Sequence, residues 1–160
     1  MPNQVVYHGS PTCCFEEVNP RRNRRVRSED GKDVVIFDDL SFHATPYKWI
    51  ALAYTYHPGK QWSCNGKTGF YNMGVDLYNG DKEVFVHGVG SLEKSLEELY
   101  AKGGYLYVFD GAHFFHTNGL GNLEVITQNV IRPIRIECIE DPVQALRNEG
   151  VRFVFIDESK

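Results

Sequence analysis

No apolar run in this 160-residue chain approaches the roughly 20 residues that a membrane-crossing helix needs, so no membrane partner is expected. The opening residues MPNQVVYHGS lack a basic stretch followed by an apolar one, and the expected location is the cytoplasm. Positive charge is not in excess either. The net charge of −4 argues against bulk attraction to nucleic acid. Neither a G-x-G-x-x-G fingerprint nor a P-loop occurs, and the glycines of HGVGS (87–91) lack the lysine of a phosphate cradle. Ser10 follows a glycine, but no helix pattern stands behind it to make a nucleophile elbow. The chain has only four cysteines, Cys13, Cys14, Cys64 and Cys138. They fit no zinc spacing, adjacent cysteines seldom bridge to each other, and reduced thiols are expected. The HFFH run at 113–116 offers two imidazoles with no carboxylate or thiol partner, so no metal is expected there. Repeats and low-complexity segments are absent.

The residues that are present describe a strand-rich domain. Hydrophobic content of 42% and aromatic content of 13% suit a single domain over 1–160 with a β-heavy core. QVVYH reads as a first strand, ended by Gly9, Ser10 and Pro11. Residues 35–45, VIFDDLSFHAT, read as extended chain up to Pro46. PYKWIALAYTY then has Trp49, Ile50, Ala53 and Tyr54 at helical spacing. Residues 58–80 are rich in Gly, Asn and Lys and read as irregular loops, with a short strand near GVDLY. KEVFVHG alternates as a strand. SLEKSLEELYAKGG is the clearest helix, with Ser91 as N-cap, a stripe of Leu92, Leu96 and Leu99, and Gly103-Gly104 at its end. YLYVFDG and NLEVITQNVIRPIRIECIE supply two or three more strands, DPVQALRNEG a short helix, and VRFVFID a last strand.

One segment departs from the general acidity. PRRNRRVR carries Arg21, Arg22, Arg24, Arg25 and Arg27 and reads as a loop after the first strand. A charge run of this kind is either a solvated face or an arm for phosphate groups. Three further pieces can carry chemistry. His8 closes the first strand and is followed by the bare backbone of Gly9 and by Ser10. Phe42, His43 and Ala44 close the second extended segment, ahead of the helix. Glu124 stands at the head of an apolar strand, where an exposed edge residue is the ordinary alternative.

In this order the pieces resemble the ADP-ribosyltransferase fold, in the branch shared by diphtheria toxin and the poly(ADP-ribose) polymerases. The branch's first motif is a strand ending His-Gly-(Ser/Thr), matched by His8-Gly9-Ser10. Phe42-His43-Ala44 fall where "YFA" stands in the second motif. Ala51, seven residues after Ala44, matches the alanine of the following helix, with Tyr54 close to the helix aromatic. Glu124-Val125-Ile126 match the third. The resemblance covers about residues 4–136 and rests on order and spacing, since each motif is short.

The resemblance implies NAD as a substrate. It would have the Gly9 backbone grip the nicotinamide carboxamide, where a side chain would obstruct. His8 would donate to a ribose hydroxyl, Phe42 and Tyr54 would stack on rings, and Ser10 and Ala44 would line the same site. Glu124 would bind the 2′-hydroxyl and stabilise positive charge developing at C1′ as nicotinamide leaves. Arg24, taken here from the charge run rather than from a motif, is a candidate for the pyrophosphate. Phe42 lacks the hydroxyl of the family's tyrosine, Ile50 replaces a carboxamide-holding serine, and Tyr54 lies one residue late. Asn122, two residues before Glu124, is shorter than the Gln or Glu found there in arginine-modifying transferases.

The expected fold is therefore α+β, with a split, mostly antiparallel β core and a few helices. The expected activity is transfer of ADP-ribose from NAD to a protein, nucleic-acid or small-molecule acceptor. Two other readings stay open. One is an NAD-dependent RNA 2′-phosphotransferase, which the arginine run would suit. The other is a non-catalytic module that binds a nucleotide or a protein on the same fold. His8 and Glu124 facing one pocket would favour an enzyme over that module.

Overall fold

The computed structural model describes residues 4–13 and 16–160. In chain order these form β1 (Val5–Ser10), β2 (Arg21–Glu29), β3 (Lys32–Ala44), α1 (Lys48–Ala53), β4 (Gln61–Cys64), β5 (Lys67–Phe70), β6 (Asn72–Tyr78) and β7 (Asp81–Gly88). There follow α2 (Leu92–Tyr100), β8 (Gly104–Asp110), β9 (Val125–Thr127), β10 (Arg135–Ile139), α3 (Pro142–Asn148) and β11 (Arg152–Asp157). Strand thus outweighs helix, and most of the described pairings are antiparallel. The chain divides into two compact units. The first contains Met1–His8, Cys14–Lys48 and Tyr107–Ile136, and the second Gly9–Cys13, Trp49–Leu106 and Glu137–Lys160.

In the first unit the arginine run is a strand and not the expected loop. β2 pairs antiparallel with β3 from Arg21 opposite Ser41 to Glu29 opposite Lys32, with a register shift between Arg25 and Val26. Asp30 and Gly31 close the hairpin, both at positive φ (50° and 75°), the two-residue turn whose twist matches that of paired strands. With the turn set, each arginine has a ladder partner, and strand geometry overrides the solvated-loop composition. The far end of β3 pairs with β9, Phe42 opposite Thr127 and Ala44 opposite Val125. Just beyond it, Tyr7 and Thr45 exchange backbone hydrogen bonds of 2.8 and 2.9 Å. Residues 5–8, 107–110 and 135–136 run in the order β1–β8–β10. The core of this unit includes Val6, Phe37, Phe109, Phe114, Val125 and Ile126, all under 9% exposed.

In the second unit, residues 58–80 correct the irregular-loop expectation. β4 and β5 form one hairpin across Asn65-Gly66, and β6 and β7 form another across Asn79-Gly80. All four turn residues have positive φ. The Asn and Gly content that reads as loop is the chemistry of two tight turns. β7 is the middle strand of the order β11–β7–β6, and β11 runs parallel to it. α2 matches its sequence signals closely. Ser91 caps it by accepting from the Lys94 amide at 3.2 Å, and Leu96 and Leu99 are buried. α3 is capped in the same way by Asp141, with Pro142 in its first turn. α1 is short, and five of its six residues are buried. Each large apolar side chain buried in this way contributes about 1.5–3 kcal/mol.

Cys13 is disulfide-bonded, which corrects the expectation of reduced thiols at that position. That expectation rested on compartment, whereas the proximity of two sulfurs decides pairing. Cys64 and Cys138 carry free thiols, and Cys14 lies outside the described residues. Among the described residues no helix is long and apolar enough to cross a membrane.

Candidate functional site

Strand β3 organises the first unit's candidate residues by alternation. Successive side chains point to opposite faces of a strand, so Phe42 and Ala44 share one face while Ser41 and His43 share the other. The ladder partners of each follow the same rule.

On the Phe42 face stands His8. Its ring centroid lies 4.6 Å from that of Phe42 and 6.3 Å from that of Tyr107. Phe42 is in turn 5.4 Å from Phe109, and Phe109 is 5.9 Å from Phe114. His8 Nδ1 donates to the His43 carbonyl at 2.9 Å. Burial pushes the His8 pKa below its ordinary value, only partly offset by that hydrogen bond, so the ring is neutral at physiological pH. This face is an aromatic cluster with a satisfied histidine inside it. Ala44, opposite Val125, is buried beside it.

The Ser41–His43 face sets polar groups among apolar ones: the Phe37 ring stands 5.6 Å from that of His43, and Ile126, opposite His43, is buried. Glu124 precedes β9 and accepts from His43 Nδ1 at 2.7 Å and from Arg25 Nη2 at 2.8 Å, both on Oε1. His43 Nε2 lies 2.8 Å from Ser41 Oγ, and Asn23 Nδ2 reaches the same hydroxyl at 3.1 Å. The Glu124 side chain is 24% exposed and that of His43 15%. Burial alone would raise the Glu124 pKa. The His43 hydrogen bond and the Arg25 charge outweigh it and leave the carboxyl below its ordinary value. The result is a fixed, ionised carboxylate with one oxygen bonded twice. Such a group can accept a hydrogen bond from a ligand hydroxyl or stabilise nearby positive charge.

His8 and Glu124 thus attach to opposite faces of β3, and the structure does not bring them to one surface of that strand. Gly9, Ser10 and Tyr54 belong to the second unit. Gly9 is buried there, and a Cβ on it would lie 1.7 Å from the Ala51 carbonyl oxygen. The space a side chain would take is filled by α1, so this glycine is required by close backbone packing and not by an open wall. Ser10 is buried as well, and its hydroxyl accepts from the Thr12 amide at 3.2 Å in a local turn. Tyr54 follows α1, exposed, with its ring 6.4 Å from that of Tyr56. Arg24 is exposed on β2 opposite Asp38. The arginine that reaches a candidate catalytic group is its neighbour Arg25.

Three of the five arginines have carboxylate partners, Arg22 with Asp38, Arg25 with Glu124 and Arg27 with Glu29. His113 and His116 are exposed near a short 3-10 turn. Among the described residues no group of three or more His, Cys, Asp or Glu side chains is arranged to hold a metal ion. A groove of about 440 Å³ lies in the second unit, lined by Glu93 and Tyr100 of α2, Arg147 of α3 and Glu140 just ahead of α3. It contains none of the sequence-predicted residues.

Sequence reasoning passed over Asn23, Ser41 and the His43 side chain as site groups, and named Arg25 only within the arginine run, as a contact for phosphate. The period-two run Asp39, Ser41, His43 in an otherwise apolar segment is a legible signal for one polar face. Nothing local announces Arg25, which meets a carboxylate 99 residues away. No family model, no curated protein and no solved structure matches this chain.

Proposed function

We propose that the chain is an NAD-dependent ADP-ribosyltransferase in which Glu124 is the reacting carboxylate. One observation carries the reading: Glu124, at the head of a late strand as the motif pattern requires, is held ionised by His43 and Arg25. Cleavage of the bond between ribose C1′ and the nicotinamide nitrogen sends the electron pair to nicotinamide and leaves positive charge on the ribose. A fixed carboxylate beside that ribose lowers the barrier, and a group of this kind is worth about 10²–10³ in rate. The acceptor is a protein, nucleic acid or small molecule, and water serves when none is present. The test is nicotinamide release from NAD by the purified chain. The wild type turns over, and Glu124→Gln loses about 10²–10³ of kcat. Wild-type protein that releases no nicotinamide at any acceptor or pH tried removes the reading.

A second reading is favoured by a separate observation. His8 and Phe42 stand on the face of β3 opposite the Glu124–His43 pair, as in a module that binds without cleaving. Its mark is a thermal shift with NAD or a related nucleotide and no turnover. The RNA 2′-phosphotransferase reading has less support, because three of the five arginines already have acidic partners.

A further inference from the structure

The Glu124 carboxylate ends a hydrogen-bond chain that runs back through His43 and Ser41 to Asn23. The Asn23 amide nitrogen lies 3.0 Å from the Arg21 carbonyl and 2.9 Å from the Ser41 carbonyl. Carbonyl oxygens only accept, so the amide's NH2 is necessarily on that side. The same nitrogen donates to Ser41 Oγ at 3.1 Å. The amide has two hydrogens for these three acceptors, so Ser41 Oγ shares one of them, and a hydroxyl that accepts in this way can turn its own proton to His43 Nε2, 2.8 Å away. If Nε2 accepts, the ring proton is on Nδ1, the atom 2.7 Å from Glu124 Oε1. Arg25 donates to the same oxygen, and no donor among the described residues reaches Oε2.

We infer that Asn23 and Ser41 lock His43 as its neutral, Nδ1-protonated tautomer, so that His43 pins Glu124 by Oε1 and leaves Oε2 as the oxygen that meets a ligand. Ser41 and His43 are positioning residues. The donor chain stands on geometry alone; its part in NAD cleavage rests on the role proposed above for Glu124. The neutral form suits that role. Arg25 already offsets part of the carboxylate's charge, and an imidazolium beside it would offset more of the charge that stabilises the ribose cation. Neutral His43 instead supplies direction, fixing the carboxylate plane by a hydrogen bond while Oε2 accepts the 2′-hydroxyl of the substrate.

The Ser41–His43–Glu124 spacing is also that of an acyl-transfer triad. Ser41, however, is 2% exposed near the end of β3, paired with Arg21 of β2. Its oxygen is engaged by Asn23 and His43. It is a strut and not a nucleophile.

The deciding experiment is long-range 1H–15N NMR of the histidine side chains at neutral pH. The His43 signals are assigned by their disappearance in His43→Gln. The expected spectrum has one protonated nitrogen, Nδ1, and an unprotonated Nε2. In Ser41→Ala that signature changes, and in Ser41→Thr, which keeps the hydroxyl, it returns. A His43 ring protonated on both nitrogens, or on Nε2 alone, overturns the inference without any enzyme assay. So does labelling of Ser41 by a fluorophosphonate probe, which would make it a nucleophile. In the nicotinamide assay Ser41→Ala lowers kcat roughly three- to tenfold, the worth of one buried hydrogen bond, and leaves KM for NAD unchanged. A change confined to KM overturns the positioning role. A wild type with no turnover fails the functional reading, while the tautomer measurement still decides the donor chain.

Discussion

Alternate residues of one strand do opposite work in this protein. Toward one face of β3, Phe42 joins His8, Phe109 and Phe114 in ring contacts, where shape and area matter and direction matters little. Toward the other, Ser41 and His43 make bonds that fail if one donor is replaced by an acceptor. Two residues of a single short motif, Phe42 and His43, are therefore divided between packing and polar chemistry. The motif pattern treats the stretch as one wall of a ligand site. The pleat makes it two surfaces, and only the polar one meets Glu124.

The largest effect that separates the faces is on stability. Phe109 is 1% exposed, and Phe109→Ala lowers the unfolding free energy by about 3–5 kcal/mol in urea titration. Glu124→Gln in the same titration costs much less. Equal losses would mean that the polar face also carries the fold. Next is Gly9→Ala, which sets a Cβ against backbone that cannot move aside. It is expected to cost about 1–3 kcal/mol or more. A neutral result would free Gly9 for the ligand role that the motif resemblance implies.

The smallest effects lie in pH dependence, and they occupy different windows. Burial lowers the His8 pKa below 6.5, so the unfolded chain binds the proton more readily. His8 therefore contributes full stability above pH 6.5, lost as pH falls from there toward its folded value, with a slope of at most about 1.4 kcal/mol per pH unit. His8→Phe flattens the stability profile in that window. The Glu124 pKa is also lowered, from 4.5, through the His43 and Arg25 contacts that outweigh burial. Its contribution is complete above pH 4.5 and fades as pH falls through its folded value. Glu124→Gln flattens only that lower window.

Much of the fold was legible in short stretches. Ser91 and Asp141 cap helices by side-chain oxygens that accept nearby amides, a local interaction that sequence spacing captures. Glu124 was placed correctly just ahead of a strand, since an apolar run of Val and Ile marks where β9 begins. The misread segments have physical causes. The composition around Asn65-Gly66 and Asn79-Gly80 predicts loop, yet the positive φ of these residues closes two β-hairpins. The composition of the arginine run predicts a loop, solvated or phosphate-binding, although Asp30-Gly31 commits it to pair with β3. The candidate site was half legible. His8, Phe42 and Glu124 stand out in the sequence, whereas Asn23, Arg25 and Ser41 matter only through partners elsewhere in the fold.

The sequence by itself determined the strand-rich character, the helix caps and the position of a carboxylate at a strand head. Each depends on interactions within a few residues, where backbone preference and side-chain reach are set locally. Only the tertiary structure decided which groups share a surface. It set His8 among aromatic rings, closed the space beside Gly9 with α1, and brought Arg25 and His43 to Glu124 across 99 and 81 residues of chain. Strand register makes those choices. A shift of one residue would reverse every face of β3, and register is fixed by pairing along the whole ladder and not by any one motif.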